Sequence, residues 1–157
     1  MDAIYVGDQR YAVDRASADD LPALVELLRD DELGAARESA PPEAYEAAFA
    51  AIDADPNQFL ACVRDGAGDV VATMQLTLMP SLSRGGAVRL NVETVRVGSG
   101  ARGRGLGGAM FEWAHEFGRR RGASIVQLTS DKGRIAAHRF YARLGYEATH
   151  EGFKRPL

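Results

Sequence analysis

Residues 93–108 read ETVRVGSGARGRGLGG and pass from a strand-like run, through a glycine-rich stretch, into a helix. The first five residues continue an apolar pattern that predicts a strand over residues 87–97. An apolar stripe at helical spacing then predicts a helix from Leu106 to Gly122. Glycines let backbone N–H groups approach a ligand closely, and a helix N-terminus carries partial positive charge. The stretch therefore favours binding of an anion such as a pyrophosphate.

Two familiar nucleotide sites share this glycine pattern, and both are disfavoured. Residues 103–108 match G-x-G-x-x-G, but only 26 residues follow Asp131, too few to complete a doubly wound dinucleotide fold. Gly-Lys-Ser and Gly-Lys-Thr are missing, which disfavours a P-loop. Arg102 and Arg104 add positive charge to the loop, and Lys132 and Arg134 follow the next strand. The alternative is a solvated turn whose arginines point to water.

The rest of the chain predicts an α/β domain with a mixed sheet, in the order β-α-α-β-β-β-α-β-α-β-β. Residues 1–9 are predicted to be an N-terminal extension, and residues 10–157 a single domain. The predicted strands are residues 10–16, 58–64, 70–78, 87–97, 124–129, 146–149 and 153–157, and helices are predicted to follow Ser17, Pro42, Gly105 and Ser130.

Composition excludes several classes of protein. The 157 residues are 46% hydrophobic and 26% charged, which is typical of one globular domain with its own core. Apolar runs are too short to span a bilayer, and the first residues lack the basic start of a secretory signal, so we expect a cytoplasmic protein with no membrane partner. Cys62 is the only cysteine, which allows no internal disulfide.

Charge is distributed unevenly along the chain. Residues 1–56 hold fourteen acids and four bases, and residues 57–157 hold eight acids and fifteen bases. An anionic ligand for the basic part, or simple solvation of charged faces, would each account for this asymmetry. The net charge of −3 argues against a nucleic-acid partner.

Two motifs together resemble the GNAT superfamily of acyl-CoA-dependent N-acetyltransferases. Arg102-x-x-Gly105-x-Gly107 is similar to the Arg/Gln-x-x-Gly-x-Gly/Ala motif of that family. Residues 134–146, RIAAHRFYARLGY, resemble its second motif, Asn-x-x-Ala-x-x-Phe-Tyr-x-x-x-Gly-Phe. One departure is Arg134, which stands where the family often has an asparagine.

The resemblance implies a V-shaped cleft for coenzyme A, opened where the strand at residues 87–97 separates from the strand at residues 124–129. It implies that backbone groups of Val95 and Val97 bind the pantetheine arm and that N–H groups of the loop bind the pyrophosphate. It also implies an acceptor pocket formed by residues 32–39 and 150–152. The implied cofactor-binding residues are Val95, Arg96, Val97, Arg102, Gly103, Arg104, Gly105, Leu106, Gly107, Gly108 and Arg134.

Two residues are candidates for proton transfer. Glu93 lies in an otherwise apolar and basic strand, and strict alternation would place it on the face of Val95 and Val97. A partly buried carboxylate there could accept the ammonium proton of an acceptor, although an ion pair with Arg89 or Arg96 is the alternative. Tyr141 is a core aromatic by its helical pattern, whereas the resemblance implies a general acid for the CoA thiolate. The resemblance also makes the Val95 N–H the donor to the oxyanion.

These observations predict an acetyl-CoA-dependent N-acetyltransferase that acts by direct attack in a ternary complex. The acceptor would be an amine of a small molecule or a peptide, and the protein a monomer or a homodimer. A CoA-binding sensor or structural module without catalysis is the alternative. The three histidines lack zinc spacing, so we expect no metal, and Cys62 lies in an apolar run typical of an inert thiol.

Overall fold

The computed structural model describes residues 2–30 and 38–157. The chain divides into two compact units, residues 1–127 and 128–157, and each is described by itself. None of the described helices combines the length and apolar character needed to cross a bilayer. The predicted class, α/β with a mixed sheet, is confirmed.

The first unit is built on a six-stranded sheet in which each strand pairs with the next one along the chain. All pairs are antiparallel except β5 and β6, which run parallel. The strands are β1 (Asp2–Val6), β2 (Gln9–Arg15), β3 (Gln58–Arg64), β4 (Val70–Pro80), β5 (Val88–Val97) and β6 (Ala123–Gln127).

Three helices among the described residues of the first unit cover the two faces of this sheet. They are α1 (Leu21–Arg29), α2 (Pro42–Ala54) and α3 (Leu106–Arg120). A short helical turn, Ser83–Gly86, connects β4 to β5. Helices α1 and α2 lie on the face of Cys62, whereas α3 lies on the face of Leu90.

The main core lies between α3 and the sheet. Met110, Phe111 and Ala114 of α3 are buried, as are Met74 and Leu90 of the strands. A Cβ atom at Gly118 would lie 3.0 Å from Leu90 Cδ2, so the missing side chain lets the helix approach the sheet closely. A smaller cluster on the opposite face joins Ala16, Leu24 and Cys62, with Phe49, Leu60 and Val70 packed against it.

The predicted N-terminal extension contains a strand. Residues 2–6 form β1 and pair with β2. Asp2 Oδ2 accepts hydrogen bonds from Trp113 Nε1 at 3.0 Å and from Arg120 Nη2 at 2.8 Å. These bonds, the one from Arg120 foremost, lower the pKa of the Asp2 carboxyl. One neighbouring strand, β2, and helix α3 therefore hold a segment whose own sequence was too short to predict a strand.

The second unit contains helix α4 (Ile135–Arg143), and the two predicted terminal strands are wrong. Residues 144–157 form no strand, and most of them are exposed. The Tyr146 N–H instead donates to the Tyr141 carbonyl at 3.0 Å and closes the end of the helix. Alternation marks a segment able to form a strand, but a ladder requires a partner strand, and the described residues of this unit contain none.

A buried ion pair connects the start of α1 to β3. Asp20 is 7% exposed, and its carboxylate accepts hydrogen bonds from the Ser17 N–H at 2.9 Å and from Arg64 Nη2. Burial acts to raise the pKa of Asp20, but the hydrogen bonds from Ser17 and Arg64 outweigh it and lower the pKa below 3.8. The carboxylate therefore stabilises the fold above that pH, and this contribution disappears as pH falls through the lowered pKa.

We predict that Asp20→Asn lowers the free energy of unfolding at pH 7 by about 2 kcal/mol, because Arg64 keeps its charge and loses its partner. Urea unfolding followed by circular dichroism measures this. The difference from wild type should shrink as pH falls below 3.8, where wild type loses the same contribution. Exposed Asp19→Asn is the matched control, with an expected change within about 0.5 kcal/mol. A difference independent of pH would contradict the assignment to charge.

Candidate active site

Strands β5 and β6 are paired only over their first residues. The parallel register runs from Val88 opposite Ala123 to Asn91 opposite Gln127. β5 continues to Val97, so residues 92–97 have no partner strand on the β6 side within the described sheet. An extended ligand could hydrogen-bond to this free edge as an added strand would. This agrees with the cleft that the sequence motifs predict.

A β-bulge interrupts β5 at the same place. On β4 the register advances two residues, from Thr73 to Gln75, while on β5 it advances three, from Arg96 to Glu93. Thr94 has φ +55°, a left-handed value that is uncommon for a non-glycine residue. The extra residue is typical of a bulge, which shifts the side chains on either side of it relative to the sheet.

The bulge overturns one expectation for Glu93. Val97 lies opposite Ala72 and Glu93 lies opposite Gln75, and positions 72 and 75 of β4 point to opposite faces. Glu93 and Val97 are therefore on opposite faces of the sheet, not the same one. The strict alternation assumed from sequence fails because one residue is added between them.

Glu93 is also more exposed than expected. Its side chain is exposed, not partly buried, and Oε2 accepts a hydrogen bond from Asn91 Nδ2 at 3.3 Å. In the part of the chain that the structure describes, this carboxylate pairs with neither Arg89 nor Arg96. The alternative of a structural ion pair therefore has no support in the described contacts.

The glycine loop leads directly from β5 into α3. Gly103 and Gly105 have φ +76° and +88°, values that favour glycine. The Ala109 N–H donates to the Gly105 carbonyl at 3.2 Å and forms the first helical bond of α3. The amides of residues 106–108 precede that bond, so they are available to an anion at the helix N-terminus.

Arg102 holds the loop to α1. Its Nε donates to the Val97 carbonyl at 2.8 Å, and its Nη2 donates to the Asp30 carbonyl at 2.7 Å and to Asp30 Oδ2 at 3.0 Å. Asp30 Oδ2 also accepts a hydrogen bond from the Ser99 N–H at 2.8 Å. Arg104, by contrast, is exposed and has no ion pair among the described residues. The two loop arginines therefore differ: one is engaged by protein, and the other is available.

A cavity of about 530 Å³ opens beside this loop, at the C-terminal end of α1. Among the described lining residues, Glu26, Asp30 and Asp65 contribute three carboxylates and Arg104 contributes one cation. That excess of negative charge makes the cavity a poor place for a phosphate.

The remaining predicted residues are placed as follows. Arg96 Nη1 donates to the Val95 carbonyl at 2.9 Å. Tyr141 lies in the second unit, half-buried, with its ring in edge-on contact with Tyr146 at 6.0 Å between centroids. Arg134 is exposed and precedes α4. Of the implied acceptor segment, residues 32–37 lie outside the described residues.

Cys62 is buried, and burial raises the pKa of its thiol to about 11. The group is therefore protonated at neutral pH and is a poor acyl-accepting nucleophile. Among the described residues, no three metal-ligating side chains come together.

Sequence reasoning missed two polar side chains near Glu93, Asn91 and Gln127, and considered Arg89 only as an ion-pair partner. Arg89 and Asn91 alternate with buried Leu90 and Val92 along β5. That regular polar alternation was visible in the sequence and could have identified a polar face.

A strand with a free edge that leads into a glycine loop at a helix N-terminus is the arrangement that the resemblance implies for an acyltransferase that takes its acyl group from coenzyme A. The sequence profile of the acetyltransferase (GNAT) family matches residues 21–146. The chain belongs to this family, and it is an N-acetyltransferase.

Known proteins similar to this chain include an aminoalkylphosphonate N-acetyltransferase of Salmonella typhimurium, 31% identical over 116 residues, which span 73% of each chain. A solved structure from Bacillus halodurans, named a transcriptional regulator, is 39% identical with a TM-score of 0.88, covering 94% of this chain and 99% of that one. An acetyltransferase of Trypanosoma brucei is 26% identical with a TM-score of 0.76, covering 94% and 99%.

The contacts of the loop arginines generate a prediction about stability. We expect Arg102→Ala to lower the unfolding free energy of the ligand-free protein by about 1 kcal/mol, or roughly 3 °C in Tm, because three hydrogen bonds to α1 and β5 are lost. Arg104→Ala is the matched control and should leave the Tm unchanged. Thermal unfolding of both variants provides the measurement, and equal Tm values would contradict a positioning role for Arg102.

Proposed function

We propose that the protein binds acetyl-CoA along the free edge of β5 and on the glycine loop and helix N-terminus of residues 103–108, and that it acetylates a small-molecule amine in the cytoplasm by direct attack in a ternary complex. One observation carries this proposal: β5 leaves β6 after Asn91 and continues into the glycine loop at the N-terminus of α3. An extended arm and a pyrophosphate can therefore be bound by consecutive segments of backbone.

The pantetheine arm would lie along residues 92–97. Backbone groups of Val95 and Val97 would bind it, and the register gives Thr94 and Val95 no partner on β4. The Val95 and Val97 carbonyls accept hydrogen bonds from Arg96 and Arg102, and each oxygen keeps a second lone pair. We assign Arg96 and Arg102 to positioning this backbone.

The pyrophosphate would lie at the N-terminus of α3. Backbone N–H groups of residues 103–108, including Leu106 and Gly107, would donate to its oxygens. Arg104 would supply the full positive charge, since it is exposed and has no ion pair among the described residues. Arg134, in the second unit, is proposed to contact a CoA phosphate.

Glu93 would act as general base and Tyr141 as general acid. The Glu93 carboxylate takes a proton from the acceptor ammonium, directly or through water, and the free amine nitrogen forms a bond to the thioester carbon. The Val95 N–H would stabilise the developing oxyanion. The carbon–sulfur bond then breaks, Tyr141 protonates the thiolate, and the nitrogen of the new amide releases its remaining extra proton to water. The high pKa of buried Cys62 supports direct attack without an acyl-enzyme.

A small-molecule acceptor is supported by the relative from Salmonella typhimurium, whose name gives an aminoalkylphosphonate as its substrate. Testing requires purified protein, acetyl-CoA and a panel of amines that includes aminoalkylphosphonates, polyamines, aminoglycosides and lysine peptides. Release of free CoA thiol reports the transfer. Turnover of peptides alone would contradict a small-molecule acceptor, and turnover of nothing would contradict catalysis.

We predict that Gly108→Val weakens acetyl-CoA binding more than tenfold and leaves the Tm unchanged or slightly raised. A Cβ at Gly108 meets only open space, and valine favours helix over glycine. Helical side chains tilt towards the N-terminus, so this one would project over the proposed pyrophosphate site. Calorimetric titration measures the affinity. Gly66→Val, also in open space, is the control and should bind as wild type does. Wild-type affinity in Gly108→Val would remove the helix N-terminus from the site.

We predict that Glu93→Gln lowers kcat at neutral pH tenfold or more with little change in acetyl-CoA affinity, because glutamine cannot accept the proton. Rates should recover as pH approaches the pKa of the acceptor amine, where free amine becomes abundant. The pH–rate profile with the best acceptor of the panel measures this, and exposed Glu116→Gln serves as the control. Wild-type rates at neutral pH, with chemistry limiting, would exclude Glu93 as the base.

The same profile of Tyr141→Phe separates the two roles. Loss of the thiolate proton donor should lower kcat by roughly 10²-fold, and high pH should not restore it. Tyr146→Phe removes a hydroxyl from the ring in contact with Tyr141 and is the matched control. Alkaline recovery of Tyr141→Phe would contradict its assignment as the acid.

A further inference from the structure

The sheet face that carries α1 and α2 has a polar region around Glu93. Arg89, Asn91 and Glu93 occupy alternate positions of β5 on this face. Their neighbours on β4, paired in register, include Thr77 opposite Asn91 and Gln75 opposite Glu93. Gln75 and Thr77 both donate to Gln58 Oε1, at 3.0 and 2.9 Å, so these three side chains are engaged with one another.

A chain of hydrogen bonds connects Arg89 to Glu93. Arg89 Nη1 donates to Gln127 Oε1 at 3.4 Å, and Gln127 Nε2 donates to Asn91 Oδ1 at 3.4 Å. Asn91 Nδ2 then donates to Glu93 Oε2 at 3.3 Å. These distances exceed the usual 2.7–3.2 Å for N–H to oxygen bonds, so each contact is weak. A charged ligand group could replace them with shorter, stronger bonds.

Arg89 has an uncompensated charge. It is half-buried, its buried Nε donates no hydrogen bond, and no carboxylate pairs with it in the described residues. Many other arginines of the chain do have a carboxylate within ion-pair distance: Arg15, Arg29, Arg64, Arg102, Arg119 and Arg120. A partly desolvated guanidinium without an anion is unfavourable, and an anionic ligand would offset that cost.

We propose that Arg89 binds an anionic group of the acceptor and that the substrates are primary amines carrying a phosphonate or carboxylate at the other end. This inference rests on the proposed function, because it takes Glu93 as the point where the amine is deprotonated. Four residues of strand separate the two positions, about 13 Å between Cα atoms, and both long side chains can lean inwards. The acceptor would lie along β5 with its amine at Glu93 and its anion at Arg89.

Gln127 would position this guanidinium. Its amide oxygen accepts from Arg89 while its amide nitrogen donates towards Asn91, so it fixes the direction of both side chains without neutralising the arginine. A carboxylate at position 127 would pair with Arg89 and compete with the substrate anion. This gives a variant that tests the charge without removing the arginine.

The experiment compares three acceptors of similar length, 3-aminopropylphosphonate, 4-aminobutyrate and butylamine, with saturating acetyl-CoA. Wild type should show a kcat/KM at least tenfold higher for one or both anionic acceptors than for butylamine. In Arg89→Gln and in Gln127→Glu this ratio should fall at least tenfold, mainly through a higher KM for the anionic acceptor. The phosphonate and carboxylate arms identify which anion the site prefers.

Arg10→Gln is the matched control, because Arg10 is exposed on β2 and the substitution removes the same charge. The ratio of kcat/KM for anionic and neutral acceptors in this variant should equal that of wild type. Should Arg89→Gln fail to fold, Gln127→Glu retains the test. An unchanged ratio in folded Arg89→Gln or in Gln127→Glu, or equal use of neutral and anionic amines by wild type, overturns the assignment of Arg89 while the proposed function stands. Acetylation of none of the panel amines overturns both.

Discussion

The extra residue in β5 is the constraint on which the site depends. Thr94 adopts a left-handed φ of +55° between two stretches of regular ladder with β4. Glu93 alternates regularly with Asn91 and Arg89 and shares their face, and the bulge that follows it moves Val97 to the opposite face, that of Ala72. Without the extra residue, strict alternation would put Val97 on the same face as Glu93. Local backbone strain of this kind persists only where the surrounding structure enforces it, and two flanking ladder segments do so here.

Motifs and periodicity predicted those elements whose structure is determined by their own local sequence. The strand at residues 87–97, the glycine turn and helix α3 each have a distinct pattern, and the structure places them within one or two residues of the prediction. β1 was missed because its five residues are held by long-range partners, Trp113 and Arg120, that no local pattern reveals. The prediction that Glu93 and Val97 share a face was wrong because a bulge depends on the pairing of two strands and is not visible in the sequence of one.

The uneven charge of the chain has a use that neither sequence explanation anticipated. Asp2, Asp20 and Asp30 come from the acidic first third, and their partners Arg120, Arg64 and Arg102 come from the basic remainder. Each pair joins segments that are 44 to 118 residues apart. Part of the asymmetry is therefore complementarity between distant segments of one fold. Arg104 and Arg89 belong to none of these pairs, so their charges are available to an anionic ligand.

The chain has a single thiol, and in the folded protein it reacts poorly with thiol-directed reagents. Cys62 is fully enclosed and its pKa is about 11, so thiol-directed dyes and reagents at neutral pH would find almost no reactive thiolate on the folded protein. Every sulfhydryl signal that appears during turnover can then be ascribed to the leaving group. A cysteine introduced at an exposed position would likewise be the one labelled site, so a single reporter could be attached to this scaffold without first removing a native residue.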